Sequence, residues 1–254
     1  MYNTLEKALR KIRKKEQKYL EKFQSGKGLA NKIAVPQKAQ EALTAAFARG
    51  LDLVFKKGDG LIRRGIPETE MIQAFCEQDN KVRQKLRAGQ IRALGAQARQ
   101  VRRRGSGVSL AEGIGLGALG VGLPDIPLFL GGLLRGIYQI ALSYGVDVRE
   151  DTEQIYLMLL LACAGAPQQE RQERLDLLAR EIQAGCEIHE HLELVQREAA
   201  ESLAQGMLAA KFIQGLPIVG VAGGIYNLPL YRRITGYAML EYQKRYLWGL
   251  PARK

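Results

Sequence analysis

Apolar residues at Tyr2, Leu5, Leu9, Ile12, Tyr19 and Phe23 recur at steps of three and four, interrupted at Glu16. That period predicts a helix over residues 1–24, ended by Ser25-Gly26-Lys27-Gly28. Its other faces carry Lys7, Arg10, Lys11, Arg13, Lys14, Lys15, Lys18 and Lys22. A second helix is predicted from Pro36 to about Lys57, with proline in its first turn and Gly58-Asp59-Gly60 beyond its end. A third starts at Pro67, where Glu68 and Glu70 suit the positive end of the helix dipole. It is expected to run on to Arg104 with a bend near Gly89. Further helices are expected over about 127–144, 152–164 and 231–248. Residues 168–205 read as one long amphipathic helix or a pair, with Leu175, Leu178, Ile182, Cys186, His189, Leu192 and Val195 facing inward. No run alternates with period two, so the pattern predicts an all-α multi-helix bundle.

Two apolar, glycine-rich stretches interrupt this regularity. The first begins after Gly105 and leads through Leu123-Pro124-Asp125-Ile126-Pro127 into a strongly apolar helix. Asp125 stands where an N-cap belongs. The second spans Phe212 to Leu230, which is free of charge but contains four glycines, two prolines, Gln214 and Asn227, a poor composition for a simple membrane span. Gly113 with Gly117, Gly132 with Gly136, and Gly220 with Gly224 place small residues four apart, a spacing that lets helix backbones approach closely. The expected organisation is a basic helical region, 1–104, followed by a glycine-rich apolar helical core, 105–254, in one continuous domain.

Charge sets the expectation for partners. Lys plus Arg number 38 against 26 acids, a net charge of +12. This points to an anionic partner such as a membrane surface, nucleic acid or an acidic protein. Nine Lys or Arg and no acid lie between Lys81 and Arg104. Cys76, Cys163 and Cys186 are widely spaced, with no CxxC pair, which indicates neither a disulfide framework nor a zinc ribbon and fits a reducing compartment. The charged N-terminus does not read as a secretory signal.

Motifs for chemistry are weak. Gly115-x-Gly117-x-x-Gly120 has the dinucleotide spacing, but it follows Arg102-Arg103-Arg104 rather than a strand, and Pro124 interrupts the helix that should follow. Cys186, His189, Glu190 and Glu193 have ligand types at helical spacing, yet His-Glu-His-Leu-Glu puts Glu193 where a zinc motif needs its second histidine. No metal and no cofactor is assigned. Asp125 and Arg135 are the charges of the apolar segment, and Arg135, Gln139 and Ser143 form a polar stripe on its helix. A buried arginine needs a partner, for which Asp125, Asp147 and Glu112 are candidates. Two readings stand: a structural ion pair with a cap, or a polar pocket that orients a lipid or other amphiphile. No GxSxG motif accompanies them, and no catalytic residue is assigned.

The basic segments also admit two readings. They are either solvated faces of a basic protein, or surface elements whose cations Lys7, Lys11, Lys14, Lys15, Lys18, Arg102, Arg103 and Arg104 meet anionic lipid while an apolar helix face enters the headgroup region. Arg232 and Arg233, with the tyrosines after residue 225 and Trp248, likewise fit either an interface anchor or a terminal helix whose aromatics face the core. Nucleic acid attracts the same cations, but no RNP, KH or zinc-finger motif is present.

Two blocks carry a family resemblance. LPDIP followed by LLRGIYQIALSYGVD, and KFIQGLPIVGVAGGIYN near the C-terminus, resemble the corresponding elements of the EcsC family, bacterial proteins whose founding member is encoded beside an ABC transporter. By position the resemblance singles out Asp125, Pro127, Arg135, Tyr144, Gly145, Asp147, Lys211, Pro217, Gly220 and Asn227. LPDIP lacks a residue that some members have between proline and aspartate. The resemblance implies a helical, cytoplasmic, membrane-associated protein and supplies no reaction. The expected function is peripheral association with the cytoplasmic face of an anionic membrane, with lipid binding or assistance to a transporter. The pocket candidates are Asp125, Arg135, Tyr144, Asp147, Lys211 and Asn227. A hydrolase using Asp125 and Arg135, and a nucleic-acid binder using residues 81–104, are the alternatives.

Overall fold

The structure is a computed structural model that describes residues 2–30, 37–57, 62–104, 125–213 and 228–250. Among these residues the regular elements are ten helices, with no strand. They are α1 (Tyr2–Ala30), α2 (Gln37–Lys57), α3 (Glu68–Gln84), α4 (Ala88–Leu94), α5 (Ala96–Arg104), α6 (Asp125–Leu142), α7 (Asp151–Gly165), α8 (Gln169–Ala184), α9 (Leu192–Ile213) and α10 (Leu228–Trp248). The all-α expectation holds.

The centre is α7. Its sequence is apolar on every side after the first turn, and Tyr156 through Gly165 are all buried. A helix without a polar face must be enclosed, and α8, α9 and α10 pack against it. Glycine sets the closest approach. A Cβ on Gly165 would lie 2.6 Å from the Ser202 carbonyl, and one on Gly206 would lie 2.5 Å from the Gly165 oxygen. The backbones of α7 and α9 therefore touch where only glycine fits. The expected pair Gly132 and Gly136 is buried in α6, and a Cβ on Gly136 would meet the Tyr231 hydroxyl at 2.5 Å. The main core runs from Phe47 and Leu51 of α2, through α6 and α7, to Tyr237 and Tyr242 of α10.

The structure corrects three expectations and decides between the readings left open for two segments. Helix α1 continues through Ser25-Gly26-Lys27-Gly28 to Ala30. The third predicted helix is three: Lys85 is extended and closes α3, and α4 and α5 meet at Gly95. The 168–205 segment is a pair, ended at Gly185 in the left-handed conformation (φ 67°), where Gly185 N–H donates to Ile182 and Cys186 N–H to Glu181. Cys186 and His189 consequently lie in the connection and are exposed, not on an inward helix face. Finally, Tyr231, Tyr237 and Tyr242 are buried, so these aromatics of α10 face the core rather than an interface.

Candidate functional site

Of the residues expected to form a polar pocket, the described side chains of Arg135, Tyr144 and Asp147 each take their own partners. Asp125 is the first residue of α6, but its side chain, those of Lys211 and Arg104, and all of Asn227 lie outside the described residues. Arg135 Nη1 donates to the backbone carbonyls of Ile62 (3.2 Å) and Arg64 (2.6 Å), clamping the turn before α3 onto α6. Asp147 instead receives Arg149, through its Nε at 2.7 and 2.8 Å and its Nη2. That hydrogen bonding holds the Asp147 carboxyl below its ordinary range. Tyr144 is buried against Tyr246, and burial drives its pKa up. Glu190, once a candidate ligand, is held by Arg174 at 3.0 Å. Among the described residues no cluster of His, Cys, Asp and Glu forms a metal site. The Gly115–Gly120 motif lies outside them.

The surface cations are better gathered. Lys7, Lys11, Lys14, Lys15, Lys18 and Lys22 are all exposed on α1, because the opposite side of this helix is occupied. Ile12 packs with Ile91, Leu240 and Leu247, Tyr19 rests on Tyr237 with centroids 4.8 Å apart, and Phe23 is buried. The apolar stripe expected to enter lipid is thus spent on α4 and α10. Beside α1 stand Arg99 and Arg102 of α5. Partial burial and the nearby charges of Lys11, Arg102 and Arg99 lower the pKa of Lys15. Cations from separate chain segments therefore share one field.

That face borders a cavity of about 620 Å³. Phe23, Leu230, Met239 and Leu240 give it apolar walls, and Lys15, Lys22, Arg102, Arg232 and Arg233 stand around it. Of the ten cations singled out from the sequence, four thus meet at one opening. A smaller cavity of about 210 Å³ lies near the Arg135 clamp, between Arg63, Tyr138 and Arg149.

A buried charge network lies outside anything the sequence pattern predicts. Lys244 is 2% exposed and lies 2.6 Å from Glu16, 2.5 Å from Asp176 and 2.7 Å from Glu241. It ties α1 and α8 to α10. Burial works against its charge, but the three carboxylates outweigh it and raise its pKa. Glu241, fully buried, is pushed up to about 8 by desolvation, with Lys244 pulling the other way. Four-residue spacing offers no signal for such a site, since each member sits on a different helix or among charges that read as surface.

Among the described residues no helix is long and apolar enough to cross a membrane. Comparison with curated proteins found no match, and comparison with solved structures found none either. The model of the EcsC protein family matches residues 1–247. With nearly the whole length matched, both sequence blocks included, this chain belongs to the EcsC protein family.

Proposed function

We propose that the protein attaches peripherally to an anionic membrane surface through the exposed face of α1 and the arginines beside it. The observation that carries this reading is the convergence of cations around Lys15. Lys7, Lys11, Lys14, Lys18 and Lys22 recur at helical spacing along α1 and form one exposed stripe, about 22 Å long at 1.5 Å per residue. Arg99 and Arg102 extend it on α5, and Arg232 on α10. Each cation close to an anionic leaflet contributes on the order of 1 kcal/mol, and salt screens it. Ile12 and Phe23 are held in the core, so the contact is one of charge rather than insertion of α1. A membrane protein partner such as a transporter would meet the same surface.

Vesicle flotation tests this. The protein should float with phosphatidylserine-containing vesicles and not with phosphatidylcholine alone, and high salt should release it. The triple change Lys11→Glu, Lys14→Glu and Lys18→Glu should weaken flotation and reduce its salt sensitivity. Undiminished flotation of the triple variant would sink the proposal. Retention on duplex DNA in preference to vesicles would favour a nucleic-acid partner instead.

A further inference from the structure

We infer that the cavity bounded by α1, α5, α9 and α10 binds one single-chain anionic amphiphile, its hydrocarbon tail against Phe23, Leu230, Met239 and Leu240 and its head at Lys15, Arg102 and Arg233. The volume, about 620 Å³, lies within the range of small-ligand sites. The walls are mainly apolar, which calls for a tail. The lining contains five Lys or Arg and, among the described residues, no Asp or Glu, which calls for an anionic head.

The polar groups are arranged for this division. Tyr19 donates its hydroxyl to the Ala164 carbonyl at 3.0 Å, so it offers the cavity a ring rather than a polar group. Arg233 is held in place by donation from Nη2 to the Gly165 carbonyl at 2.8 Å and by stacking over Phe23 at 5.2 Å. Its side chain also lines the cavity, where an anionic oxygen would accept a charge-assisted bond from the guanidinium. Gly236 lines the cavity beside Arg102; a Cβ there would come into van der Waals contact, 3.4 Å, with the guanidinium. An anionic head would also relieve the mutual repulsion of Lys15, Lys11, Arg99 and Arg102. The site does not depend on the surface reading, since a dissolved amphiphile would fill it without a bilayer.

The test is calorimetric titration of the full chain with dodecyl phosphate below its micellar concentration. Decyl and octyl phosphate, dodecanoate, dodecyltrimethylammonium and inorganic phosphate are the comparisons. One dodecyl phosphate should bind per chain, with affinity falling about three- to fourfold for each methylene removed. Dodecanoate should also bind, as the carboxylate member of the class. Arg233→Met should cost about tenfold in affinity for dodecyl phosphate. Gly236→Leu should fill the opening and abolish binding without lowering the melting temperature. If that variant fails to fold, Met239→Trp blocks the same cavity. Absence of saturable binding, affinity independent of chain length, or equal binding of dodecyltrimethylammonium would each overturn the proposal. Inorganic phosphate binding as tightly as dodecyl phosphate would overturn it too. Loss of vesicle flotation with dodecyl phosphate binding intact would sink only the surface reading, and the reverse only this one.

Discussion

Arg245 and Glu153 meet as a buried two-point ion pair between α10 and α7. Arg245 Nη1 donates to Glu153 Oε2 at 2.6 Å and Nη2 donates to Oε1. Both side chains are 6% exposed, and the guanidinium lies over the Tyr156 ring at 4.5 Å. Removing one partner strands the other charge in the core. Arg245→Met is therefore expected to cost about 3–5 kcal/mol, and the double change Arg245→Met with Glu153→Leu to recover much of it. Denaturant unfolding of the single and double variants checks this. Additive losses would show that the pair contributes no coupling.

Glu241 makes stability depend on pH. Burial raises its folded pKa to about 8, against 4.5 for a free glutamate. Between those two values the folded state holds a proton that the unfolded state has released. Stability from this group thus falls as pH rises through that window, by up to about 1.4 kcal/mol per pH unit. Glu241→Gln mimics the protonated form. It should match the parent near pH 5 and gain relative stability toward pH 9, measured as melting temperature against pH. A difference that stays constant across the range would contradict the assignment.

Glycines in this chain divide into those the packing needs and those it does not. A Cβ on Gly165 would strike the Ser202 backbone at 2.6 Å, and backbone cannot swing aside. Gly165→Ala should destabilise by about 1–3 kcal/mol. Gly89, exposed in α4, has nothing within 4 Å of such a Cβ. Gly89→Ala should stabilise by about 0.5–1 kcal/mol through helix propensity. Thermal melts of the two variants should move in opposite directions.

Arg135 is a clamp for the Ile62–Arg64 turn. Arg135→Met retains the apolar stem and removes both donors to the carbonyls. It should cost about 1–2 kcal/mol and raise amide exchange locally around residues 62–66. Vesicle flotation should be unaffected. Unchanged exchange in that turn would show that the clamp does not hold it.

Helix content was legible because the apolar periods are long and regular: α2, α7 and α10 lie close to where their patterns put them. Breaks were less legible. The extended Lys85 and the left-handed Gly185 end helices in stretches whose periodicity does not announce an end. Arg135 was given acidic candidates because chain neighbours are all a sequence displays, whereas among the described residues it donates to carbonyls about seventy residues away.

By itself the chain determined an all-helical protein of one recognisable family, with its cations on the side of α1 opposite the apolar stripe. Local periodicity and charge are sufficient for that. Only the tertiary structure decided which surfaces remained available. It buried the apolar side of α1 and the tyrosines of α10, sank Glu153, Glu241, Lys244 and Arg245 into the core, and brought Lys15, Arg102 and Arg233 to one cavity. These outcomes depend on pairings between helices far apart in sequence. A buried charge is tolerated only when such a partner arrives, and no local pattern records its arrival.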